Sequence, residues 1–571
     1  MKFSLNLKSR ARAAFALAST ILCASFLTCV FSAAPVAADE PRVIASFSVS
    51  SVDGLWNGGE RVADAMKYGD LVKGIRGLFN ARVKSDLLDP AKPLGVIVAT
   101  NGDEVAAFGY LPLLKPEEFD EAALAGLKEK LLEIDQNLFQ SAEFFVANGA
   151  LIVGKESQKN LISSVPADAF AVPSGDAETL VGVQINFEAL PQEFVEAGSA
   201  VLRQKLAEMV GDENDDELLS VDRALANYSE LVSSLKSIQW TLAADADSNL
   251  VSDFVLTAKP ETDLAESLAK TAQTPTRWRA IADTPNAIAI SIDAGDCSTS
   301  SFKVDAEHLR RAIHKNLEEM FDVLKDDPET LEFAKEIAEH VENAIVADIP
   351  TETYDCGFAI SAEPLALVFS STCAAPNELQ TAAEKLVERF RETESLPIDE
   401  LAKEEIEGYS VLGSTVPLDD VSDDLPAFFK GKTLGVKVGF SKDAILFVAA
   451  LDPDATAATF ERVARGSRET GPQPTESYLD FVELAKTVQS VLATCDDVRP
   501  QATQSIETFV KAEDARIVFA RSYDGGVLKF KTTVRTGFFK ALGDFLRISL
   551  TSGGDGDEGQ DIDDLFDDEE E

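Results

Sequence analysis

The chain is short of the residues on which most enzymatic mechanisms are built. Histidine occurs three times in 571 residues, tryptophan three times, methionine four times and cysteine six times. The histidines, His308, His314 and His340, all fall on one helical stretch, Ala306 to Ala347. His308 and His314 are six apart and so point to different helix faces, and HExxH spacing is missing. Exposed helical side chains are the plain reading, and a Ser-His-Asp or Cys-His mechanism has little material. CxxC is also missing, which leaves a zinc knuckle or a thioredoxin-like site without support. Basic residues are scarce, with 52 Lys+Arg against 98 Asp+Glu and a formal net charge of −46. Such a surface repels a phosphate backbone and disfavours anionic lipid headgroups, so nucleic acid is not an expected partner. Beyond residue 38 no apolar run is long enough to span a bilayer. No catalytic, cofactor-binding or metal-ligating residue is assigned, and no cofactor is expected.

Hydrophobic residues make up 45% of the chain, the share of an ordinary folded protein. The first segment has a basic start, Lys2, Lys8, Arg10 and Arg12, followed by the apolar run AAFALASTILCASFLTCVF and the exit SAAPVAADE. Small residues at Val36-Ala37-Ala38 suit a signal peptidase, so residues 1–38 are expected to be a signal peptide cleaved after Ala38. Retention of this segment as an uncleaved anchor is the alternative. Leu22 before Cys23 and Thr28 before Cys29 do not suit a lipoprotein signal. The expected location is periplasmic or extracellular, with no membrane span after cleavage. There the remaining cysteines, Cys297, Cys356, Cys373 and Cys495, allow three pairings.

Alternating strands and turn signals recur. LGVIVATNGDEVAAFGYLPL turns at Asn101-Gly102, AEFFVANGALIVGK at Asn148-Gly149, and RIVFARSYDGGVLKFKTTV at Asp524-Gly525. IQWTLAADADSNLVSDFVLTAK and LGVKVGFSKDAILFVAAL are further hairpins, followed by helices that start after Pro260 and at Asp452-Pro453. A helix is expected from about Glu60 to Phe79, and another long helical region from Glu476 to Lys511, interrupted at Pro500. The block CGFAISAEPLALVFSSTC is read with its turn at Glu363-Pro364-Leu365-Ala366. Phe358, Ile360, Leu367 and Phe369 then share one face, with Gly357, Ala359 and Ser361 on the other. The same register sets Cys356 directly opposite Cys373 and predicts a disulfide between them. The fold class is α+β, with antiparallel sheets built from repeated β-hairpin–helix units and the helices packed on one face. The Thr- and Pro-rich TAQTPTRWRAIADTPNA supplies a boundary, giving α+β repeat domains at 39–275 and 286–550. Residues 551–571 are expected to be a disordered acidic tail.

Several local patterns resemble sites and fall short. Gly149-Ala-Leu-Ile-Val-Gly154-Lys155 has phosphate-loop spacing, but Glu156 replaces the Ser or Thr and the interior is strand material. Asp245, Asp247 and Asn249 match the start of a calcium loop, yet Leu250 and Leu256 stand where Gly and Glu are needed. Carboxylate pairs are too abundant to be informative. Trp56, Trp240 and Trp278 are expected to be packing anchors.

LGVIVATNGDEVAAFGYLPL and IQWTLAADADSNLVSDFVLTAKPETDLAESLA resemble a group of large exported acidic bacterial proteins of unassigned function with diverged hairpin–helix repeats. The resemblance implies that architecture and brings no catalytic motif. The expected function is that of an exported, non-enzymatic structural or binding protein of unknown protein or apolar ligand. One alternative is an extracytoplasmic carrier of an apolar ligand, with Phe254, Phe358 and Phe369 lining a cavity. Another is a carboxylate-based hydrolase, marked by a pocket of convergent acidic residues with raised pKa.

Overall fold

Tight turns close several of the hairpins at places where Asn and Gly supply left-handed backbone. Asn148 and Gly149 adopt φ of 53° and 74° between β4 (Glu143–Ala147) and β5 (Ala150–Gly154). Gly525 and Gly526 do the same between β17 (Arg516–Asp524) and β18 (Val527–Val534), one residue later than the sequence suggested. The computed structural model describes residues 41–551. Residues 83–88, 103, 121, 123, 126–142, 174–178, 192–194, 197, 199, 201–203, 205–228, 297–320, 322–326, 349–350, 393–401, 422–424 and 496–497 are outside that description, as are 1–40 and 552–571. The expected signal peptide, the acidic tail, Cys297, His308 and His314 therefore lie outside the described residues.

The remaining strands of the first part are β1 (Arg42–Val49), β2 (Leu94–Thr100), β3 (Val105–Pro112), β6 (Thr179–Asn186), β7 (Leu235–Ala244) and β8 (Leu250–Ala258). The second part has β9 (Ala287–Asp296), β10 (Thr353–Ser361), β11 (Ala366–Thr372), β12 (Ala402–Ile406), β13 (Tyr409–Pro417), β14 (Thr433–Phe440), β15 (Ala444–Ala450) and β16 (Glu476–Asp480). Every pairing is antiparallel, and together they form one open sheet of 18 strands. Its spatial order is β4-β5-β3-β2-β1-β6-β7-β8-β18-β17-β16-β9-β10-β11-β15-β14-β13-β12. The run from β8 outward to β4 and the run from β18 outward to β14 follow the same connectivity, β9 standing for β1, β10 for β2 and so on. The fold is thus α+β and antiparallel, and its two parts share one sheet.

Helices are α1 (Val52–Ala65), α2 (Gly69–Arg82), α3 (Lys159–Ser164), α4 (Asp263–Gln273) and α5 (Pro328–Asp348). Then come α6 (Pro376–Glu392), α7 (Pro453–Gly466), α8 (Phe481–Leu492), α9 (Pro500–Val510) and α10 (Thr536–Thr551). None of the described helices is long and apolar enough to cross a membrane. They do not all lie on one face. Leu161 and Ile162 of α3, and Phe460 and Val463 of α7, pack on the face that carries Ile97, Ile152, Ala359, Val368 and Leu446. Leu264 and Leu268 of α4 pack on Ile238, Leu256, Tyr523 and Leu528, which the register places on the opposite face.

Three sequence expectations are corrected. The helix expected from about Glu60 to Phe79 is two: α1 begins at Val52, capped by Ser51, whose hydroxyl accepts from Gly54 N at 2.7 Å, and α2 begins at Gly69 after a turn with Lys67 at φ 64°. A Cβ on Gly58 would lie 2.5 Å from the Leu180 side chain of β6, so glycine lets α1 sit this close. The residues Glu476–Asp480, read as helix, form β16, which joins β17 to β9. In the Cys356 hairpin the loop is Ala362–Leu365, with Ser361 paired to Ala366 and Cys356 to Ser371. The loop is held by Ser361 Oγ donating to Pro364 O at 2.7 Å and Ala362 N to Asn286 O at 2.9 Å. Because the slip is two residues, the faces are as expected while Cys373 moves off Cys356 and past the end of β11. Diagonal neighbours of this kind have Cα atoms roughly 7–8 Å apart, beyond ordinary disulfide reach, and both thiols are free.

The segment expected to be an inter-domain boundary is tied down closely. Trp278 is fully buried, and its Nε1–H donates to Asp355 O at 3.0 Å. Thr276 Oγ1 and Arg277 N donate to the Asp355 carboxylate at 2.6 and 2.8 Å. The Arg277 guanidinium grips Asp443 with bonds of 3.0 and 2.9 Å, and Thr276 exchanges backbone bonds with Gly471 at 2.9 and 3.0 Å. Gly357 lies beneath; a Cβ there would meet Ile281 at 2.6 Å and Trp278 at 3.1 Å. Replacing Trp278 by Ala is expected to cost about 3–5 kcal/mol of stability, the range for a buried aromatic. Chemical denaturation of the variant measures this, with Trp278→Phe expected to lose much less.

Candidate functional site

Buried sheets alternate, and here both alternations are apolar on many strands. One set meets α3, α7 and Trp278. The other set forms a row of directly opposed residues on the second face: Val96 on β2, Phe47 on β1, Val183 on β6, Trp240 on β7, Phe254 on β8 and Phe530 on β18. Val96, Phe47 and Phe530 are 43%, 46% and 39% exposed, and Val183, Trp240 and Phe254 are half-buried. Phe519 stacks on Phe530 with ring centroids 6.2 Å apart. The indole N–H of Trp240 donates to Ser252 Oγ across the strand pair at 2.8 Å, so the ring lies on the sheet with its polar atom satisfied. The neighbouring residues on the same face, Ile238, Leu256 and Leu528, are covered by α4, which stands beside the row as a wall.

The row ends in a polar cluster. Arg521 on β17 is directly opposite Phe530, and its guanidinium is 2.6 Å from Asp293 Oδ1 of β9. Tyr354 of β10 donates its hydroxyl to the same oxygen at 3.1 Å, its ring lying over Gly295, where a Cβ would stand 2.7 Å away. Tyr523 lies 5.6 Å from the guanidinium, in cation–π range. Burial and the Asp293 charge push the Tyr354 phenol up, and burial does the same to Tyr523, so both stay protonated hydroxyls. Cys356 stands opposite Asp293. Burial, with the charges of Asp293 and Asp355, pushes its thiol up. Beyond the cluster the same face continues with Phe358, Phe369 and Phe447 in one cross-strand line, Phe369 being 41% exposed.

The sequence had singled out Phe254, Phe358 and Phe369 as the lining of a cavity. The register puts all three on the second face of the sheet, Phe254 and Phe358 half-buried and Phe369 41% exposed. Two sizeable clefts lie elsewhere: one of about 440 Å³ between α9 and α10, lined by Glu507, Lys511, Lys540 and Asp544, and one of about 460 Å³ along α7, lined by Glu461, Arg462 and Arg465. Among the described residues two carboxylates are pushed up by burial, Asp348 and Asp355, and they do not face a common space: Asp348 accepts from Ala374 N, and Asp355 belongs to the Trp278 anchor. Among the described residues no three or more His, Cys, Asp or Glu side chains are grouped to hold a metal ion.

The other singled-out residues have structural roles. Gly149–Lys155 is the turn and strand β5. In the calcium-like turn Asp245 accepts from Asp247 N and Asn249 N at 2.9 Å, and Asn249 Oδ1 caps the start of α10 by accepting from Thr536 N at 2.8 Å. His340 is half-buried rather than exposed, its Nδ1 2.7 Å from Glu378 Oε2 between α5 and α6. Sequence reading missed the Phe47–Phe530 row because it joins six strands from both parts of the chain. The available signal was the apolar character of both faces of these strands, which marks either double burial or a contact face.

Alkylation at pH 8, followed by peptide mass spectrometry without reduction, is expected to find Cys356 and Cys373 as separate thiols. Exposed Cys495 should label first, and Cys356 more slowly than an ordinary thiol because less of it is thiolate. No protein-family model matches this chain, and comparisons with curated proteins and with solved structures likewise gave no match.

Proposed function

We propose that this is an exported, non-enzymatic binding protein that holds an apolar ligand on the open face of its sheet. The observation behind the reading is the cross-strand row Val96, Phe47, Val183, Trp240, Phe254 and Phe530, apolar along six strands and left partly exposed at both ends. Isolated exposed hydrophobics are ordinary, but aligned ones on a surface with a net charge of −46 keep contact area that solubility alone does not select. The basic start and small-residue exit of residues 1–38 support export to the periplasm or the extracellular space. The matching connectivity of the two parts supports a duplicated hairpin–helix unit, with β12 and β13 as an added hairpin in the second copy. On that reading the two copies meet at β8 and β18, equivalent strands, and Phe254 opposite Phe530 lies at the join.

The test is a pair of measurements on the protein purified from its native host. Mass spectrometry of an organic extract should show an apolar compound enriched with the protein. The double variant Phe47→Ser, Phe530→Ser should keep its thermal midpoint within a few degrees, since both side chains are already partly in water. Its affinity for that compound should fall about tenfold or more, equivalent to ~1.4 kcal/mol. Unchanged affinity would remove the row from the binding reading.

A further inference from the structure

We propose that the polar cluster at the end of the row, Arg521 with Asp293 and Tyr354, is a head-group subsite for a neutral, hydroxyl-bearing, single-chain amphiphile of the monoacylglycerol type. The inference rests on the apolar-face reading and adds the chemical class of the ligand.

Contiguity comes first. Arg521 is the residue directly opposite Phe530, so a molecule whose chain lies on Phe530, Phe254, Trp240, Val183 and Phe47 has its end at the guanidinium. Neighbouring strands are about 4.8 Å apart, so the five steps from Phe530 to Val96 cover roughly 24 Å, enough for a long acyl chain laid across the strands. At β8 and β18, next to the cluster, the row lies between Leu256 and Leu528, which α4 covers, and the polar pair Ser252 and Thr532, a width that suits one chain rather than two.

Charge selects the head. A lone arginine at the end of an apolar row would call for a carboxylate or phosphate. Here Asp293 sits 2.6 Å from Arg521 and cancels its charge, and Asp293 and Arg521 remain 34% and 25% exposed at the side chain. An anionic head would meet the Asp293 carboxylate as it approached and would first have to approach a protein of net charge −46. A cationic head would meet the guanidinium. A hydroxylated neutral head meets neither penalty, because the cluster offers guanidinium N–H donors, a carboxylate acceptor and the Tyr354 hydroxyl side by side.

Delipidated protein can be titrated with monoolein and with oleate, each brominated along the chain so that contact quenches Trp240 fluorescence. Trp240→Phe identifies which part of the quenching comes from the row. Monoolein is expected to bind about tenfold more tightly than oleate. Asp293→Asn should invert the order, because Arg521 then loses its countercharge. Tyr354→Phe, a variant that removes one hydroxyl and little volume, should weaken monoolein while leaving oleate unchanged. Oleate binding as tightly as monoolein to the native protein, or an order unaltered by both variants, would overturn the head-group assignment and leave the apolar face standing. Absence of Trp240 quenching by either lipid would overturn both.

Discussion

The structure depends on the pairing of β8 with β18. This ladder runs from Leu250 opposite Val534 to Thr257 opposite Val527 and makes two series of strands into one sheet. Side chains alternate with a period of two, so a slip of one residue at this ladder would move Phe254 and Phe530 to opposite faces. The apolar row would then be interrupted at its centre, and α4 would lose the surface made by Leu256, Leu528 and Tyr523. Register at one strand pair therefore decides both the packing of a helix and the continuity of the candidate site.

Other contacts reinforce that join. Helix α4 follows β8 in the first part but packs on β9, β17 and β18, and α10 follows β18 but packs on α1 of the first part. The Asp245–Asn249 turn accepts the first backbone N–H of α10, and Lys67 donates to Asp544 of the same helix at 2.6 Å. These surface bonds contribute modestly to stability, but each spans the two parts of the chain. The connecting segment itself is fixed by Trp278, Thr276 and Arg277 on Asp355 and Asp443, where a buried carboxylate is satisfied by donors from a neighbouring turn.

Legibility of the fold followed the range of the interaction. Hairpins closed by Asn148-Gly149 or by the glycines at 525 and 526 could be read from the sequence because the turn residues themselves set the backbone. The Cys356 hairpin was readable as a hairpin and in its faces, but not in its pairing. Its loop length is settled by Asn286 and by Leu365 accepting from Leu451 N at 3.1 Å, which are remote in sequence. Strand β16 was hidden because Glu476–Asp480 runs into a helical pattern; only partners on β9 and β17 make it a strand. The start of α1 was hidden because Gly58 answers to Leu180, which approaches from another element. The hairpin of β12 and β13 went unread between α6 and β14, although Glu407 and Gly408 supply its turn.

By itself the sequence determined the antiparallel α+β character, the scarcity of histidine and cysteine, and the acidic composition. Each of these follows from composition, or from turn and alternation signals only a few residues long. Tertiary structure decided that the two parts share one sheet, that helices lie on both its faces, and that Phe47, Trp240, Phe254 and Phe530 stand in one line. It also decided that Arg521 meets Asp293 at the end of that line. The physical reason is common to all of these: alternation along a strand says which residues share a face, while only cross-strand hydrogen bonding between distant segments says which residues on that face are neighbours.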